Sequence, residues 1–446
     1  MTKTRSQNST DIWSDARKIL MSAAMVAISF SGALSASATS PGPTNPYDPN
    51  GQPRTYYVSK NGDNTDGRSW ATAWNEMDQI HWTDVSPQRR DSLVIDGGVN
   101  RMVYRTTMKV QAVAYYSPVT VKVSTETSHN GQAVIAPGNT ANGIEITSGG
   151  FILNGSKRSG ILIYGAKNGM TINATAPYPF NVKNVEIAHC AESGVTVGAA
   201  HYPIPLTQMI LHDNATNLVT KQNSTPGGAS LSKCWIYNST YLTKADGIRC
   251  DGSASGPPMP GVTLNNCVLG PGLRDGVNNL SSARPTLRNC LFINSTRNNV
   301  SSYSVSLDKV TSFMTKLNPA GNGHKCIKLQ TTGQPYGMIG STVKKSIFYG
   351  GTVEVPLTIQ LPYPGSLPQP FPITVEANTQ FRTTGNTTVL AAEMVDPKFR
   401  SPVGFLPNIT PVALLMGLDF SLRDASPAAG TGSEVTSVKQ LLSTFD

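Results

Sequence analysis

Six ionisable residues lie within a short stretch of the chain at spacings that could bring them to one surface: Lys221, Asp246, Arg249, Asp251, Arg274 and Asp275. Two neighbouring carboxylates push each other's pKa values apart. Such a pair can work as general acid and base in glycosidic hydrolysis, with its separation setting the stereochemical outcome. Asp246 and Asp275 would be that pair. A basic side chain beside them supports different chemistry, the removal of a proton α to a carboxylate followed by β-elimination. Arg249, Arg274 and Lys221 are the candidates for the base. Asp246, Asp251 and Asp275 also offer oxygen ligands of the kind that hold Ca²⁺. Both Asp246 and Asp275 precede a glycine, however, and Asp-Gly is a common turn pair. In that third reading the carboxylates only shape bends, and the charged face binds glycans or merely meets solvent.

Whether these residues meet depends on a repeat. An apolar residue recurs three places before a small or sulfur-containing one in Val182-Lys-Asn-Val185, Leu206-Thr-Gln-Met209, Leu231-Ser-Lys-Cys234, Leu264-Asn-Asn-Cys267, Leu287-Arg-Asn-Cys290 and Leu307-Asp-Lys-Val310. Val343-Lys-Lys-Ser346 follows more loosely. A second pattern trails the first: Gly194-Val-Thr-Val197, Asn217-Leu-Val-Thr220, Gly247-Ile-Arg-Cys250, Gly276-Val-Asn-Asn279 and Asn299-Val-Ser-Ser302, with earlier forms at Gly143 and Gly169. Two columns in constant register describe a solenoid of short strands, in which equivalent residues stack about 4.8 Å apart. Parallel connections are right-handed almost without exception. The fold expected is all-β, a single-stranded right-handed parallel β-helix. In that register Asp246 and Asp275 neighbour each other on successive coils, with Arg249, Asp251, Arg274 and Lys221 beside them on an outer face.

The remaining segments fit around this body. Lys3, Arg5, Arg17 and Lys18 precede the apolar run Ile19–Phe30 and the small residues ending at Ala36-Ser-Ala38, the pattern of a signal peptide over residues 1–38. The run is too short to span a bilayer. A linker occupies 39–54. Residues 55–82 read as an N-terminal cap with a short helix from Ser69 to Ile80, Ser69 being its N-cap. The β-helix domain extends over 55–433, with an irregular closure from about 340, and 434–446 is a tail. The Pro-rich stretch Leu361–Ile373 reads as an extended loop.

The full chain carries 36 basic and 27 acidic residues. Without residues 1–38 it keeps 32 against 25, a basic balance suited to an anionic polysaccharide. No basic run or basic-aromatic stripe points to nucleic acid. Cys234, Cys267 and Cys290 fall in one inward column and Cys250 in the second, a placement that favours small buried hydrophobes over bridges, with Cys267 and Cys290 on successive coils close enough to permit one. His81, His129, His189, His201 and His212 show no ligand spacing. Trp70, Trp74 and Trp82 belong to the cap. Tyr115, Tyr116 and Tyr202 are candidates for lining a sugar groove.

The opening Tyr56-Tyr-Val-Ser-Lys-Asn-Gly-Asp-Asn-Thr-Asp-Gly-Arg-Ser-Trp70 resembles the start of many exported pectate-lyase-like β-helix proteins. Val395-Asp-Pro-Lys-Phe399 and Asp419-Phe-Ser-Leu-Arg-Asp-Ala-Ser-Pro-Ala-Ala-Gly430 resemble the closing segment of the same group. The resemblance spans about residues 55–433. It implies the fold and a carbohydrate partner, and within that superfamily it leaves the activity open. For a lyase it implies a Lys or Arg base and a cation, here possible Ca²⁺, stabilising the uronate carboxylate. Lys244-Ala-Asp246-Gly and Arg274-Asp275-Gly loosely resemble the acidic motifs of polygalacturonase-like hydrolases. Here the Asn-Thr before the first Asp and the doubled second Asp of that family are absent. Asn298 stands where that family places a His, and His324 comes one coil later. The expectation is therefore a secreted protein acting on a uronate polysaccharide by β-elimination, with non-catalytic glycan binding and polygalacturonase-like hydrolysis as alternatives. N-terminal sequencing of the exported protein is expected to begin at Thr39; an N-terminus that retains Ile19–Phe30 would overturn the leader assignment.

Overall fold

Each repeat is a short strand, a one-residue bend, a second strand, another bend and a third strand, and the bends explain why the path turns where it does. In the computed structural model, Asn184, Gln208, Lys233, Asn266, Asn289, Lys309 and Lys345 all adopt left-handed backbone angles, with φ between 47° and 60°. Each directly precedes a member of the Val185–Cys290 column. The hydrogen-bond ladder continues across the bend, because the N–H of each of these residues donates to a carbonyl of the next coil. Gln208 N donates to Ser232 O at 2.9 Å and Asn289 N to Asp308 O at 2.9 Å. Asn is the natural occupant of such a site. Gln and Lys tolerate it here because the ladder on both sides fixes the chain.

The structure describes residues 51–111, 118–147, 149–173, 179–198, 200, 202–222, 228–240, 245–252, 260–281, 283–314, 324–330, 340–355, 358–359, 369–370, 373–381, 383–385, 393–394, 396–400 and 416–445. All belong to one compact unit, Pro46–Asp446. The leader and most of the linker lie outside the described residues, as do Tyr115, Tyr116, His201, Lys244 and most of the Pro-rich stretch. Among the described residues, no helix is long and apolar enough to cross a membrane.

Among the described residues three parallel sheets form, of 12, 12 and 11 strands, each pairing every strand with its equivalent one coil away. The expected parallel β-helix is what the chain forms. Val182, Leu206, Leu231, Leu264, Leu287, Leu307 and Val343 stack through the interior of the first sheet, all essentially without solvent contact. Burial of each such side chain contributes roughly 1.5–3 kcal/mol. The six cysteines are free and buried, so both cysteine columns serve as core. Burial pushes the Cys250 thiol up to about 11.

Glycine at the bend before the third sheet has a steric reason. A Cβ on Gly169, Gly194 or Gly276 would meet a carbonyl oxygen of the following coil at 2.5 Å. Left-handed angles play no part at these positions, because the constraint is close approach between coils. Asn217 and Asn299 take the same column by turning their amides inward. Asn217 Nδ2 donates to Tyr237 O at 3.2 Å, and Asn299 Nδ2 to Ser312 Oγ at 2.9 Å.

Three segments differ from the sequence expectation. The cap contains only a 3₁₀ turn at Met77–Gln79, not a helix from Ser69. Backbone bonds from Trp74 N to Tyr57 O and from Ser59 N to Trp74 O tie this segment to the first strand. Trp74 is buried and stacks on Tyr56 at 5.4 Å, and those contacts outcompete helix formation. The regular coils also continue past 340, through strands Ser341–Lys344, Ile347–Tyr349, Ile373–Glu376 and Thr379–Phe381. Finally, residues 434–445 are no free tail. The outer face of the second sheet carries an apolar column, Ile210, Trp235, Val268 and Leu291. Val435, Val438, Leu441, Leu442 and Phe445 join the same hydrophobic cluster and cover it. Helix Val438–Leu442 is capped by Ser437 Oγ, and Gln208 Nε2 donates to Thr444 O at 2.6 Å.

A charged cluster on that sheet was not visible from histidine spacing. His212 Nε2 lies 3.0 Å from Glu186 Oε1 and its Nδ1 lies 2.6 Å from Asp213 Oδ2, while its ring stacks on Tyr237 at 4.9 Å. Burial alone would lower its pKa, but the bonds to Asp213 and Glu186 prevail and raise it from 6.5 to about 9. The charged form therefore stabilises the fold fully below about pH 6.5, and this contribution is lost as pH rises through about 9. His212→Gln is expected to cost on the order of 1–3 kcal/mol near pH 6 and much less near pH 10. Urea denaturation of both proteins at the two pH values checks this, and equal costs would refute it.

Candidate functional site: a groove on the third sheet

The outer face of the third sheet is polar where that of the second is apolar. Strands Asn168–Ile172, Ser193–Val197, Thr216–Gln222, Ile248–Gly252, Asp275–Asn279 and Asn298–Ser302 lie side by side in sequence order. Their inward residues Val195, Leu218, Ile248, Val277 and Val300 are buried. The outward residues Thr196, Val219, Arg249, Asn278 and Ser301 form one register column. Lys221 pairs with Asp251 in the next outward column. The alternation of period two thus delivers Lys221, Arg249 and Asp251 to one face, as the spacing predicts.

These three line a groove of about 830 Å³ across four coils, with Asn168, Thr171 and Glu192 further along. Arg249 Nε donates to Asp251 Oδ1 at 2.6 Å, and this bond holds the guanidinium above its ordinary pKa. Lys221 is exposed in the groove and has no hydrogen-bond or ion-pair partner among the described residues. At the opposite edge Glu192 accepts from Asn168 Nδ2 at 3.1 Å, and Lys167 Nζ lies 3.7 Å from its other oxygen.

Asp246 and Asp275 are neighbours, as the register requires, since Gly247 N donates to Asp275 O at 2.8 Å. They are not open to the groove. Both side chains are completely buried. Asp246 accepts from Arg274 Nε at 3.0 Å, Arg274 Nη2 at 3.1 Å and Asn278 Nδ2 at 2.9 Å. Asp275 accepts from Arg297 through Nε at 3.0 Å and through Nη2, and from Asn298 Nδ2 at 2.6 Å. Arg274 Nε also lies 3.7 Å from Asp275 Oδ2. Burial and the Asp275 charge push the Asp246 carboxyl above its usual range, against the pull of Asn278 and Arg274.

The expected acid–base pair is therefore sequestered, because an arginine from the following coil folds over each aspartate. A carboxylate with no exposed surface cannot protonate a glycosidic oxygen or activate a water. Arg274, one candidate base, is committed to this internal chain. Arg297 completes the chain and was missed, although it holds the coil position of Arg274, one residue before Asn298 as Arg274 precedes Asp275. Nor do Asp246, Asp251 and Asp275 fit Ca²⁺. Each of the three is already paired with a guanidinium, Asp251 with Arg249, Asp246 with Arg274 and Asp275 with Arg297, and among the described residues no group of three or more His, Cys, Asp or Glu could hold a metal. His324 Nδ1 faces Ser295 O at 3.3 Å, and Tyr202, although 63% exposed, is not among the groove's lining residues.

No protein-family model matches the chain, and no curated protein matches it. Among solved structures it is similar to pectate lyase Pel9A, at 12% identity and a TM-score of 0.47, covering 84% of this chain and 91% of that one. It is also similar to an alginate lyase from Paenibacillus sp. str. FPU-7, at 11% identity and TM-score 0.38, with 76% and 97% covered. A rhamnogalacturonan lyase matches at 13% identity and TM-score 0.37, with 86% and 96% covered. At such identities these similarities say nothing about chemistry, and the fold rests on the register of the three sheets.

Replacing Asp275 by Asn is expected to destabilise the fold by about 3 kcal/mol, because it leaves Arg297 and Arg274 short of a buried counter-charge. Chemical denaturation checks this; a cost under about 1 kcal/mol would show that the chain of charges is dispensable.

Proposed function

We propose that the chain is an exported protein that binds a uronate-containing polysaccharide in this groove and cleaves it by β-elimination. The observation that carries the reading is Lys221: of the three basic candidates it alone is free of a carboxylate partner among the described residues, and it faces the groove. Its Nζ, when neutral, takes the proton from C5 of a uronate. The C5–H electron pair forms the C4–C5 double bond as the C4–O bond breaks, and the departing oxygen takes a proton from water. Arg249, fixed by Asp251, supplies positive charge beside the substrate carboxylate as negative charge develops. The buried Asp246 and Asp275, with Arg274 and Arg297 folded over them, hold the strands next to those that present these two side chains. The basic balance of the chain and the expected leader support an acidic, extracellular partner.

Uronate polymers treated with the protein are expected to give products with the ultraviolet absorbance of an unsaturated uronate. Lys221→Ala is expected to lower that rate about 10²–10⁴-fold while leaving the denaturation midpoint unchanged. New reducing ends without the absorbance would instead mark a hydrolase. Binding without cleavage would mark a glycan-binding protein, and either result rejects the elimination.

A further inference from the structure

The groove's charges are balanced in a way that limits what can lie in it. Four lining residues are charged: Glu192, Lys221, Arg249 and Asp251. Arg249 is paired with Asp251 at 2.6 Å. Glu192 has Lys167 at 3.7 Å, both being about half-exposed, but Lys167 is not among the lining residues, so at that edge it is the carboxylate that faces the groove. Lys221, in the ammonium form that meets the substrate before it gives up a proton to water and acts as base, is the one uncompensated cation among the described lining residues. The rest of the lining is hydroxyl, amide or apolar, including Asn168, Thr171, Asn173, Ser193, Thr196 and Thr216.

The two edges are well separated. Lys221 occupies the strand position of Gly198, because Val197 pairs with Thr220, and Glu192 stands six residues before Gly198. At about 3.3 Å per residue the lining spans roughly 16–20 Å along the strand direction, more than one sugar ring. A continuous uronan would bring several carboxylates into a groove with one unpaired cation, and at one edge would set a carboxylate against Glu192. Like charges brought together at a recognition surface lower affinity and exclude the wrong partner.

We infer that the groove selects a polysaccharide in which an isolated uronate is flanked by uncharged sugars, with Glu192 as the residue that rejects a continuous uronan. This rests on the proposed binding of uronate polymers at Lys221 and adds their pattern of charge. Glu192 reads the substrate by repulsion, while the hydroxyl and amide side chains around it hydrogen-bond to neutral sugar hydroxyls.

The test compares binding and cleavage of two oligosaccharide sets of equal length, one of consecutive uronates and one alternating uronate with a neutral sugar. The wild-type protein is expected to favour the alternating set. Glu192→Gln removes the repulsion and frees Lys167, and is expected to shift the preference about fivefold or more toward the consecutive set. Glu192→Lys is expected to shift it further. Lys221→Ala is expected to weaken both sets alike. Wild-type preference for consecutive uronates, or a preference unmoved by both Glu192 variants while Lys221→Ala still weakens binding, overturns the inference and leaves the proposed function standing. Failure of the wild-type protein to bind either set overturns both.

Discussion

Backbone hydrogen bonding between successive coils is the interaction on which everything else in this protein depends. Each strand pairs with its equivalent one turn away, and so do the single-residue bends, through the N–H groups of residues such as Gln208 and Asn289. A ladder that passes through its corners leaves few backbone polar groups unpaired. It also fixes the register, since a slip of one residue would exchange the inner and outer faces of a strand. Leu231 would then face solvent and Arg249 the core. The interior columns and the outward charges are two results of one constraint.

The outer faces of two sheets have become different surfaces. On the second sheet the outward column is Ile210, Trp235, Val268 and Leu291, and the chain's own last turn of helix lies across it. On the third sheet the equivalent column is Thr196, Val219, Arg249, Asn278 and Ser301, and it lines or adjoins an open groove. A solenoid has no large globular core to hide a site in, so side-chain chemistry alone decides which face binds and which is covered.

Charge is arranged in two tiers around that groove. Beneath the surface lie Asp246 and Asp275, each covered by a part-exposed arginine, so that Asp246, Arg274, Asp275 and Arg297 alternate in sign across neighbouring coils. A buried carboxylate is tolerated only when paired and hydrogen-bonded, and asparagine amides complete the coordination of both aspartates. At the surface, Arg249 is held by Asp251 while Lys221 has no carboxylate partner among the described residues. Similar residue types thus divide into those that hold the strands together and those left to meet a ligand, and the division follows the partner: Arg274 and Arg297 bond fully buried aspartates, while Arg249 bonds the part-exposed Asp251 of the groove.

The repeat was legible in the sequence because inward positions must be apolar and bends must be small or tolerant of unusual angles, and both demands recur every coil. From Leu206, Leu231 and Leu264 and from Gly194, Gly247 and Gly276 alone, the fold and the neighbourhood of Asp246, Asp275, Arg249 and Lys221 follow. What the sequence could not show is which way a polar side chain closes. Arg274 and Arg297 could have extended away into solvent, and only their bonds to two buried carboxylates fold them over the aspartates, removing these from any reacting bond. The segment from Ser69 was helical by composition but forms turns pinned by a single bridge from Trp74 to Val58 of the first strand. The last residues looked like a tail because the surface they cover is assembled from four different coils. Local propensity and periodicity act over a few residues and can be read along the chain. Burial, pairing and coverage depend on residues tens to hundreds of positions apart, and those were decided by tertiary structure alone.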